Sequence, residues 1–143
     1  MKWKIITTGK PSFPWTRQGL AMYAERLQRY AEVEQVALRQ GAELAAYEKA
    51  AGDSFRILLD ERGAAWSTRL LCDQVLQWEQ EGLRLASVWI GGADGLPEGA
   101  AGTADLTLSF GSFTLMHELA LLVWMEQLYR VYALKHQHPY HRA

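Results

Sequence analysis

Candidate chemistry is concentrated in a short segment close to the end of the chain. From Lys135 to Arg142 the sequence has two cations, three histidines and no acidic residue. Lys135 and Arg142 can hold phosphate, and Tyr140 can stack on an unpaired nucleic-acid base. His138 and His141 are of the side-chain type that moves protons near neutral pH. This tail is predicted to meet a phosphate-bearing partner, although a solvated helix end, with cations favoured by the helix dipole, has the same composition.

The histidines of the tail do not follow a metal-binding pattern. His136, His138 and His141 lack the i, i+4 spacing that places two ligands on one helical face, and Pro139 interrupts them. Cys72 is the only cysteine, which excludes an internal disulfide and a cysteine-based metal cluster. We therefore predict no metal site, and we interpret Cys72 as a small buried apolar residue.

A second group of residues has the composition of a small-ligand site. Gly91 and Gly92 follow an apolar strand, and glycine lets a ligand approach the backbone without a Cβ in the way. The spacing is not that of a dinucleotide fingerprint, and a tight turn without a ligand remains an alternative. Leu59 lies near the end of another apolar strand. A third strand leads into a turn that precedes the final helix, namely Phe110, Gly111, Ser112, Phe113, Thr114 and Leu115.

These three segments are predicted to line one crevice. Ligands of open α/β sheets bind outside the carboxyl ends of the strands, where the loops that follow them meet. Backbone groups ahead of a helix are free to bond a ligand, and Phe110, Phe113 and Leu115 could sandwich a purine ring.

Hydrophobic periodicity and breaker residues predict the elements that position these segments. Strands are expected at residues 2–8, 33–38, 55–60, 86–90 and 104–110, and helices at 16–30, 42–51 and 68–81, after Pro97, and from the 110–115 turn to the tail. Thr16 and either Ser67 or Thr68 are the expected N-caps. The alternation predicts an α/β fold with a mostly parallel sheet and helices on both faces. No linker or repeat interrupts it, so residues 1–143 are predicted to be a single domain.

Composition limits the function classes. The chain is 49% hydrophobic and 22% charged, and the first residues lack an apolar run long enough for a signal peptide, which predicts a cytoplasmic protein without a membrane span. A net charge of −1 argues against a broad nucleic-acid-binding face. The final helix contains seven consecutive apolar residues at 119–125, which predicts a two-fold dimer through this helix. Glu126 and Arg130 have the spacing of an i, i+4 ion pair.

Several motifs resemble one family over most of the chain. The start KWKIITTGK, the later MYAERL, the loop IGGADGL, the sequence LYR at Leu128–Arg130 and the terminal HPYHR at His138–Arg142 closely resemble the RlmH family. These are small SPOUT-class methyltransferases that modify bacterial ribosomal RNA.

The resemblance implies specific properties. It implies a C-terminal trefoil knot, S-adenosyl-L-methionine bound by Leu59, the Gly91-Gly92 loop and the turn from Phe110 to Leu115, and a homodimer with its active site near the subunit interface. The implied reaction is methylation at N3 of a pseudouridine in large-subunit ribosomal RNA on the assembled ribosome.

We predict two kinds of role within the tail: two residues are expected to be catalytic and three to bind RNA. Tyr140 and His141 of one subunit are expected to meet the cofactor held by the other subunit. Lys135, His138 and Arg142 are expected to contact RNA.

Three positions depart from the family pattern. Met116 stands where the family has proline, Leu121 where it has arginine, and Ala93 where proline is common. Two alternatives therefore stay open: a non-catalytic knotted protein that binds RNA or ribosomes, and a SPOUT methyltransferase with another RNA target.

Overall fold

A five-stranded parallel sheet forms the centre of the computed structural model, which describes residues 1–141. Its strands are β1 (Lys2–Thr8), β2 (Glu32–Leu38), β3 (Phe55–Ala65), β4 (Leu85–Trp89) and β5 (Leu106–Ser109). The spatial order is β2-β1-β4-β3-β5, and every neighbouring pair is parallel. All the carboxyl ends of the strands therefore lie along one edge, as the sequence predicted.

Helices cover both faces of this sheet, because successive strand residues point to opposite sides. Ile5, Ile57 and Val88 pack with helices α1 (Pro14–Leu27), α3 (Thr68–Gln80) and α4 (His117–Lys135). Ile6 and Trp89 pack on the other face with α2 (Leu44–Ala51) and a short 3₁₀ helix, Ala100–Thr103. The predicted α/β architecture is confirmed. Cys72 is buried, as expected, and contacts the carbonyl of Val131.

Strand β3 is longer than predicted and is interrupted. Leu59 and Ala64 both pair with Leu108 of β5, so the residues between them leave the ladder. At Gly63 the chain returns so close to β5 that a Cβ would lie 2.7 Å from the carbonyl oxygen of Thr107. The apolar pattern ends at Asp60, which is why the sequence predicted the end of the strand there. The interruption projects residues 60–62 from the carboxyl edge of the sheet.

Helix α1 begins at Pro14, with Phe13 as its N-cap, so the predicted capping role of Thr16 is wrong. Instead, a carboxylate from the far end of the chain accepts hydrogen bonds from the residues just before α1. Glu118, in the first turn of α4, accepts hydrogen bonds from the amide of Ser12 at 3.1 Å, its hydroxyl at 2.6 Å and the amide of Phe13 at 3.2 Å. Ser67, by contrast, caps α3 as predicted, by accepting from the amide of Leu70.

Two further predicted boundaries differ from the structure. Helix α4 begins at His117 rather than within the turn at 110–115, and Pro97 leads into a loop before the 3₁₀ helix. Phe110 lies just beyond β5 and is 38% exposed. The 110–115 segment is therefore a loop from end to end, which leaves its backbone groups outside regular secondary structure.

The C-terminus of α4 turns the chain back on itself. Gln137 has a φ of 57°, in the left-handed region, and the amide of His138 donates to the carbonyl of Ala133 at 2.8 Å. The amide of Gln137 donates to the carbonyl of Leu134. This pair of bonds is the Schellman arrangement, which usually uses glycine at the left-handed position. It directs Pro139 and Tyr140 back along the helix.

Three of the seven residues in the apolar run of α4 are buried within the chain itself. Leu121, Trp124 and Met125 are at most 4% exposed, because α1, α3 and the sheet surround them. Leu121 thus belongs to the core. The other four residues of the run are half-buried, namely Leu119, Ala120, Leu122 and Val123. The core therefore accounts for part of the run, and a dimer through α4 stays a prediction.

Candidate functional site: a cleft at the carboxyl edge of the sheet

A cleft of about 420 Å³ lies where three strand ends meet. It is lined by residues that follow β3, β4 and β5 and by the start of α4. Eight of the nine predicted ligand-binding residues are among them: Leu59, Gly91, Gly92, Phe110, Gly111, Phe113, Thr114 and Leu115. Ser112 is exposed and is not one of the lining residues. The structure thus brings together three segments that are far apart in sequence.

Close backbone packing requires glycine in the loop after β4. A Cβ on Gly91 would lie 2.5 Å from the backbone nitrogen of Leu96 and 2.7 Å from the carbonyl oxygen of Gly95. A Cβ on Gly92 would overlap the hydroxyl of Thr8. The loop is closed by a hydrogen bond from the Gly95 amide to the Gly92 carbonyl. This side of the cleft is therefore a rigid backbone surface.

The opposite side of the cleft combines aromatic and acidic groups. Phe113 is 86% exposed and Phe110 is 38% exposed, so both rings are available to a ligand. The Thr114 hydroxyl donates to the carboxylate of Glu61 at 2.5 Å and ties this turn to the interrupted part of β3. A flat apolar ring system and a group that carries hydroxyls or positive charge are the ligand features that fit these walls.

The charged residues that β3 contributes to the cleft were not predicted from the sequence. Asp60, Glu61 and Arg62 line the cleft, and Arg62 donates to Asp60 from its amide and its guanidinium at 2.8–3.0 Å. These hydrogen bonds lower the pKa of the Asp60 carboxyl, which keeps it ionised. The sequence signal was the run of charges directly after an apolar strand, at the edge where ligands bind.

The tail residue Tyr140 is held by side chains of α1 and α4. Its hydroxyl lies 3.0 Å from Oε1 of Glu126 and 3.2 Å from the hydroxyl of Tyr23. The guanidinium of Arg130 lies over its ring, 4.8 Å from the centroid, and Tyr129 packs edge-on against it at 4.7 Å. Burial, followed by the bonds to Tyr23 and Glu126, raises the pKa of Tyr140.

The predicted ion pair between Glu126 and Arg130 is confirmed, and it extends to the tail. Glu126 Oε1 accepts from Nε and Nη2 of Arg130 at 3.0 and 2.5 Å. Nη1 of the same guanidinium lies 3.4 Å from Nδ1 of His141. The bond to Glu126 raises the pKa of Arg130. Glu126, Arg130, Tyr23, Tyr140 and His141 are called the tail cluster below.

The predicted RNA-binding residues are placed differently from one another. Lys135 donates to Glu79 of α3 at 2.8 Å, and its side chain is 30% exposed. His138 is exposed and accepts from the amide of Tyr140 through Nδ1. Arg142 lies outside the described residues. The charge of Lys135 is therefore already paired with Glu79.

Within one protomer the tail cluster and the cleft are separate. Ala120 is the last α4 residue that lines the cleft, and Glu126 is six residues further on. At 1.5 Å per residue and 100° of rotation, Glu126 lies about 9 Å along the axis and on another side of the helix. Arg130, which contacts His141, lies one turn beyond that.

Comparison with known proteins assigns the fold and the family. A family model described as "Predicted SPOUT methyltransferase" matches residues 1–141. A protein of Thermus thermophilus called "Ribosomal RNA large subunit methyltransferase H" is 46% identical over 142 residues, which is 99% of both chains. The chain belongs to this family of SPOUT methyltransferases. A Deinococcus radiodurans protein of the same name is 39% identical over 146 residues and covers 100% of both chains.

Solved structures share the fold of this chain at much lower identity. A probable methylase family protein from Haemophilus influenzae superposes with a TM-score of 0.60 at 11% identity, covering 99% of this chain and 70% of that one. A putative methylase family protein from Neisseria gonorrhoeae gives 0.57 at 13% identity, with coverages of 90% and 81%.

Residues 1–141 were also compared with what a membrane span and a metal site require. No helix in this part of the chain is both long and apolar enough to cross a membrane. Nor do three or more His, Cys, Asp or Glu side chains of these residues come together as a metal site would require.

Proposed function

We propose that this protein transfers a methyl group from S-adenosyl-L-methionine to large-subunit ribosomal RNA, at N3 of a pseudouridine on the assembled ribosome. The observation that supports this most directly is the assembly of three distant segments into one cleft at the carboxyl edge of the sheet. The relatives that cover the whole chain are named as ribosomal RNA large subunit methyltransferases, which gives the substrate class.

The cleft residues fit S-adenosyl-L-methionine. Gly91 and Gly92 allow the loop to fold tightly, since a Cβ at either position would overlap the Gly95–Leu96 backbone or Thr8, and the loop main chain then lines the cleft. Phe110 and Phe113 offer exposed rings to the adenine, and Asp60 and Glu61 offer carboxylates to its hydroxyls and positive groups. When bound, the cofactor supplies a methyl group already activated on a sulfonium. The protein then mainly aligns the two reactants.

The active site is proposed to be shared between two subunits of a homodimer. The tail cluster lies along the second half of α4, away from the cleft of its own protomer. A second copy that packs on the α4 face would bring Tyr140 and His141 to the neighbouring cleft. The stacked pair Phe13 and Trp15, 39% and 45% exposed, and the half-buried strip of α4 offer apolar surface for such packing.

Recognition of RNA is assigned to Lys135, His138 and Arg142 from the tail. Apart from Lys135 and Arg142, the chain has 13 Lys and Arg residues against 16 Asp and Glu residues, a sum of −3. The tail is therefore a locally basic segment on a mildly acidic protein. That distribution suits a composite ribosomal surface rather than free RNA. We further propose that residues 1–143 act as one cytoplasmic methyltransferase domain with a C-terminal trefoil knot around the cleft.

The departures from the family pattern keep a non-catalytic RNA- or ribosome-binding protein as the second candidate. Met116 is an exposed N-cap residue of α4, and Leu121 packs in the core. Leu121 therefore supplies no cation at the position where the family has arginine. If that arginine is needed for turnover, the protein would bind without transferring a methyl group.

The deciding experiment measures transfer of labelled methyl from S-adenosyl-L-methionine to ribosomes and to protein-free ribosomal RNA that lack the modification. Label at a pseudouridine, on assembled ribosomes only, is the expected result. Cofactor binding without label on either substrate would overturn the proposal and favour the non-catalytic binder. Label at another nucleotide would identify a methyltransferase with a different RNA target.

A further inference from the structure

Glu126 is the centre of the tail cluster, and its position in α4 explains the arrangement of the last described residues. One carboxylate oxygen, Oε1, accepts from Nε and Nη2 of Arg130 and from the hydroxyl of Tyr140. The other, Oε2, accepts from Gln127 at 2.7 Å. A single half-buried acid on a rigid helix thus orients a cation and a tail tyrosine at the same time.

Tyr140 has the contacts of an anchor. Its one hydroxyl proton is directed to Glu126, the hydroxyl of Tyr23 lies beside it, and the Arg130 guanidinium lies over its ring. These contacts come from both α1 and α4, so they hold the backbone on either side of Tyr140 in place. The adjacent residue, His141, is consequently presented from a fixed support.

Arg130 determines which nitrogen of His141 bears the proton. Arginine has only donors, and Nε and Nη2 already serve Glu126. The remaining Nη1 faces Nδ1 of His141 at 3.4 Å, so Nδ1 must be the acceptor in this contact. An imidazole that accepts at Nδ1 is neutral with its proton on Nε2. The ring therefore offers an N–H donor on its other side.

We propose that Glu126 is a positioning residue that acts through Arg130 and Tyr140, and that His141 serves the reaction as an Nε2–H hydrogen-bond donor rather than as a base. The proposal rests on the proposed function and deepens it, because it assigns separate roles to the two tail residues. Tyr140 orients the tail, and His141 touches the substrate in the partner's cleft.

The chemistry of an imide explains what a donor would contribute. In the transfer, the N3–H proton leaves to water, a bond forms from N3 to the methyl carbon, and the S–CH₃ bond breaks with its electrons passing to sulfur. Loss of the N3 proton places negative charge on the two flanking carbonyl oxygens. An N–H aimed at one of them stabilises that charge, as oxyanion-hole donors do.

The charged groups around the tail cluster leave Nδ1 of His141 facing a guanidinium. Arg26 of α1 lies over the rings of Tyr23 and Tyr129, and Arg130 of α4 faces His141 directly. Glu126 is the acid of the cluster and is already shared by Arg130 and Tyr140. His138, in the tail, bonds the Tyr140 amide through Nδ1. With His141 as a donor rather than a base, the transfer rate should rise with pH until the imide itself is ionised.

The test compares His141→Gln with His141→Ala in the full-length protein. The amide nitrogen of glutamine falls near the place of Nε2, so His141→Gln retains a donor but no base. We expect kcat on ribosomes to fall about 100-fold in His141→Ala and to recover roughly tenfold in His141→Gln, with unchanged cofactor affinity. Equal kcat values for the two variants, or a wild-type rate that stops rising near neutral pH, would overturn the donor role.

Glu126→Gln tests the positioning role, and Glu81→Gln, at the exposed C-cap residue directly after α3, is its control. We expect Glu126→Gln to lower kcat about tenfold with cofactor affinity and melting temperature close to wild type, and Glu81→Gln to change none of the three. Wild-type kcat in Glu126→Gln would overturn the positioning role.

Nitrogen-15 NMR of the imidazole gives a readout that needs no turnover. The wild type should show an unprotonated Nδ1 and a protonated Nε2 at His141, and Glu126→Gln should show a mixture of tautomers. A protonated Nδ1 in the wild type would overturn the assignment. A wild type that shows the expected tautomer but transfers no methyl group would overturn the proposed function, and the donor role with it, while leaving the geometry of the tail cluster intact.

Discussion

The two ends of α4 differ in which part of the chain forms the site. At its N-terminal end, main-chain turns make the cleft: glycines pack against carbonyl groups, and the 110–115 loop stands open beside them. Along its C-terminal half, side chains make the tail cluster through hydrogen bonds and an ion pair. Backbone surfaces suit a cofactor that is bound in one shape, whereas a side-chain cluster on a returning tail suits a second substrate.

The shared active site proposed above predicts the largest effect, which should come from damaging the two ends of α4 in different subunits. Gly91→Ala damages the cleft and His141→Ala damages the tail, so each homodimer should lose about 99% of transfer activity. In an equal mixture after subunit exchange, half of the dimers contain one subunit of each variant. In such a dimer, the cleft of the His141→Ala subunit and the tail of the Gly91→Ala subunit form one intact site out of two. Activity should therefore return to about a quarter of wild type.

The mixture is measured by methyl transfer to ribosomes, with each variant alone at the same total concentration as the control. No recovery, although mass spectrometry of intact complexes detects mixed dimers, would show that cleft and tail act within the same subunit. That outcome would contradict the shared active site.

The next largest effect is expected on the cofactor affinity of Gly91→Ala. Its Cβ would lie 2.5 Å from the Leu96 backbone nitrogen, so the loop must move and cofactor affinity should fall at least tenfold. Gly102→Ala is the matched control, because its Cβ would have no neighbour within 4 Å. Isothermal titration with S-adenosyl-L-methionine measures both. Equal affinities would mean that the loop after β4 does not form the binding surface.

Glu118 should make stability depend on pH near the cleft end of α4. Burial raises the pKa of this carboxyl, but hydrogen bonds from Ser12 and Phe13 outweigh burial and lower the pKa to about 2, below its ordinary value of 4.5. The stabilisation is therefore complete above pH 4.5 and is lost as the pH falls towards 2. Glu118→Gln should cost roughly 1–3 kcal/mol of unfolding free energy at pH 7.

Urea unfolding between pH 3 and pH 7 measures this prediction. Between these pH values the stability of Glu118→Gln should fall less than that of the wild type, since the variant has no carboxyl to protonate at this position. Parallel pH profiles for the two proteins would show that the carboxylate is not the group that holds the start of α1.

The smallest effect is expected at the turn that returns the tail. Gln137 is strained by its left-handed conformation, so Gln137→Gly should raise stability by up to about 1 kcal/mol. Gln77→Gly, within α3, is the control and should lose about 1 kcal/mol. Thermal unfolding compares them. A destabilised Gln137→Gly would indicate that side-chain contacts of Gln137, rather than its backbone, hold the turn.

Much of the fold was predictable because it depends on local patterns. Alternating apolar strands and helical spacing gave the parallel sheet, and Ser67 was recognisable as a cap. The cleft followed from the general rule for strand ends, which located Leu59, Gly92 and Phe110 together. The interruption of β3 was not predictable, because it depends on the close approach of Gly63 to β5.

Long-range partners of polar side chains were also beyond the sequence. Glu118 looked like an ordinary acid in the first turn of a helix, yet it bonds a segment more than 100 residues away. Glu126 and Arg130 showed only the spacing of a local pair. Their connection to Tyr23 and Tyr140 depends on how α1 packs on α4 and on the turn at Gln137.

The hydrogen bond between Trp3 and Tyr132 has a consequence for how the protein is made. The indole N–H of Trp3, in the first strand, donates at 3.0 Å to a hydroxyl 129 positions later, and both residues are fully buried. During synthesis the apolar side chain and the indole N–H of Trp3 stay without these partners until α4 has left the ribosome. Completion of the core therefore depends on the docking of α4, and strand β1 keeps apolar surface exposed until that helix packs.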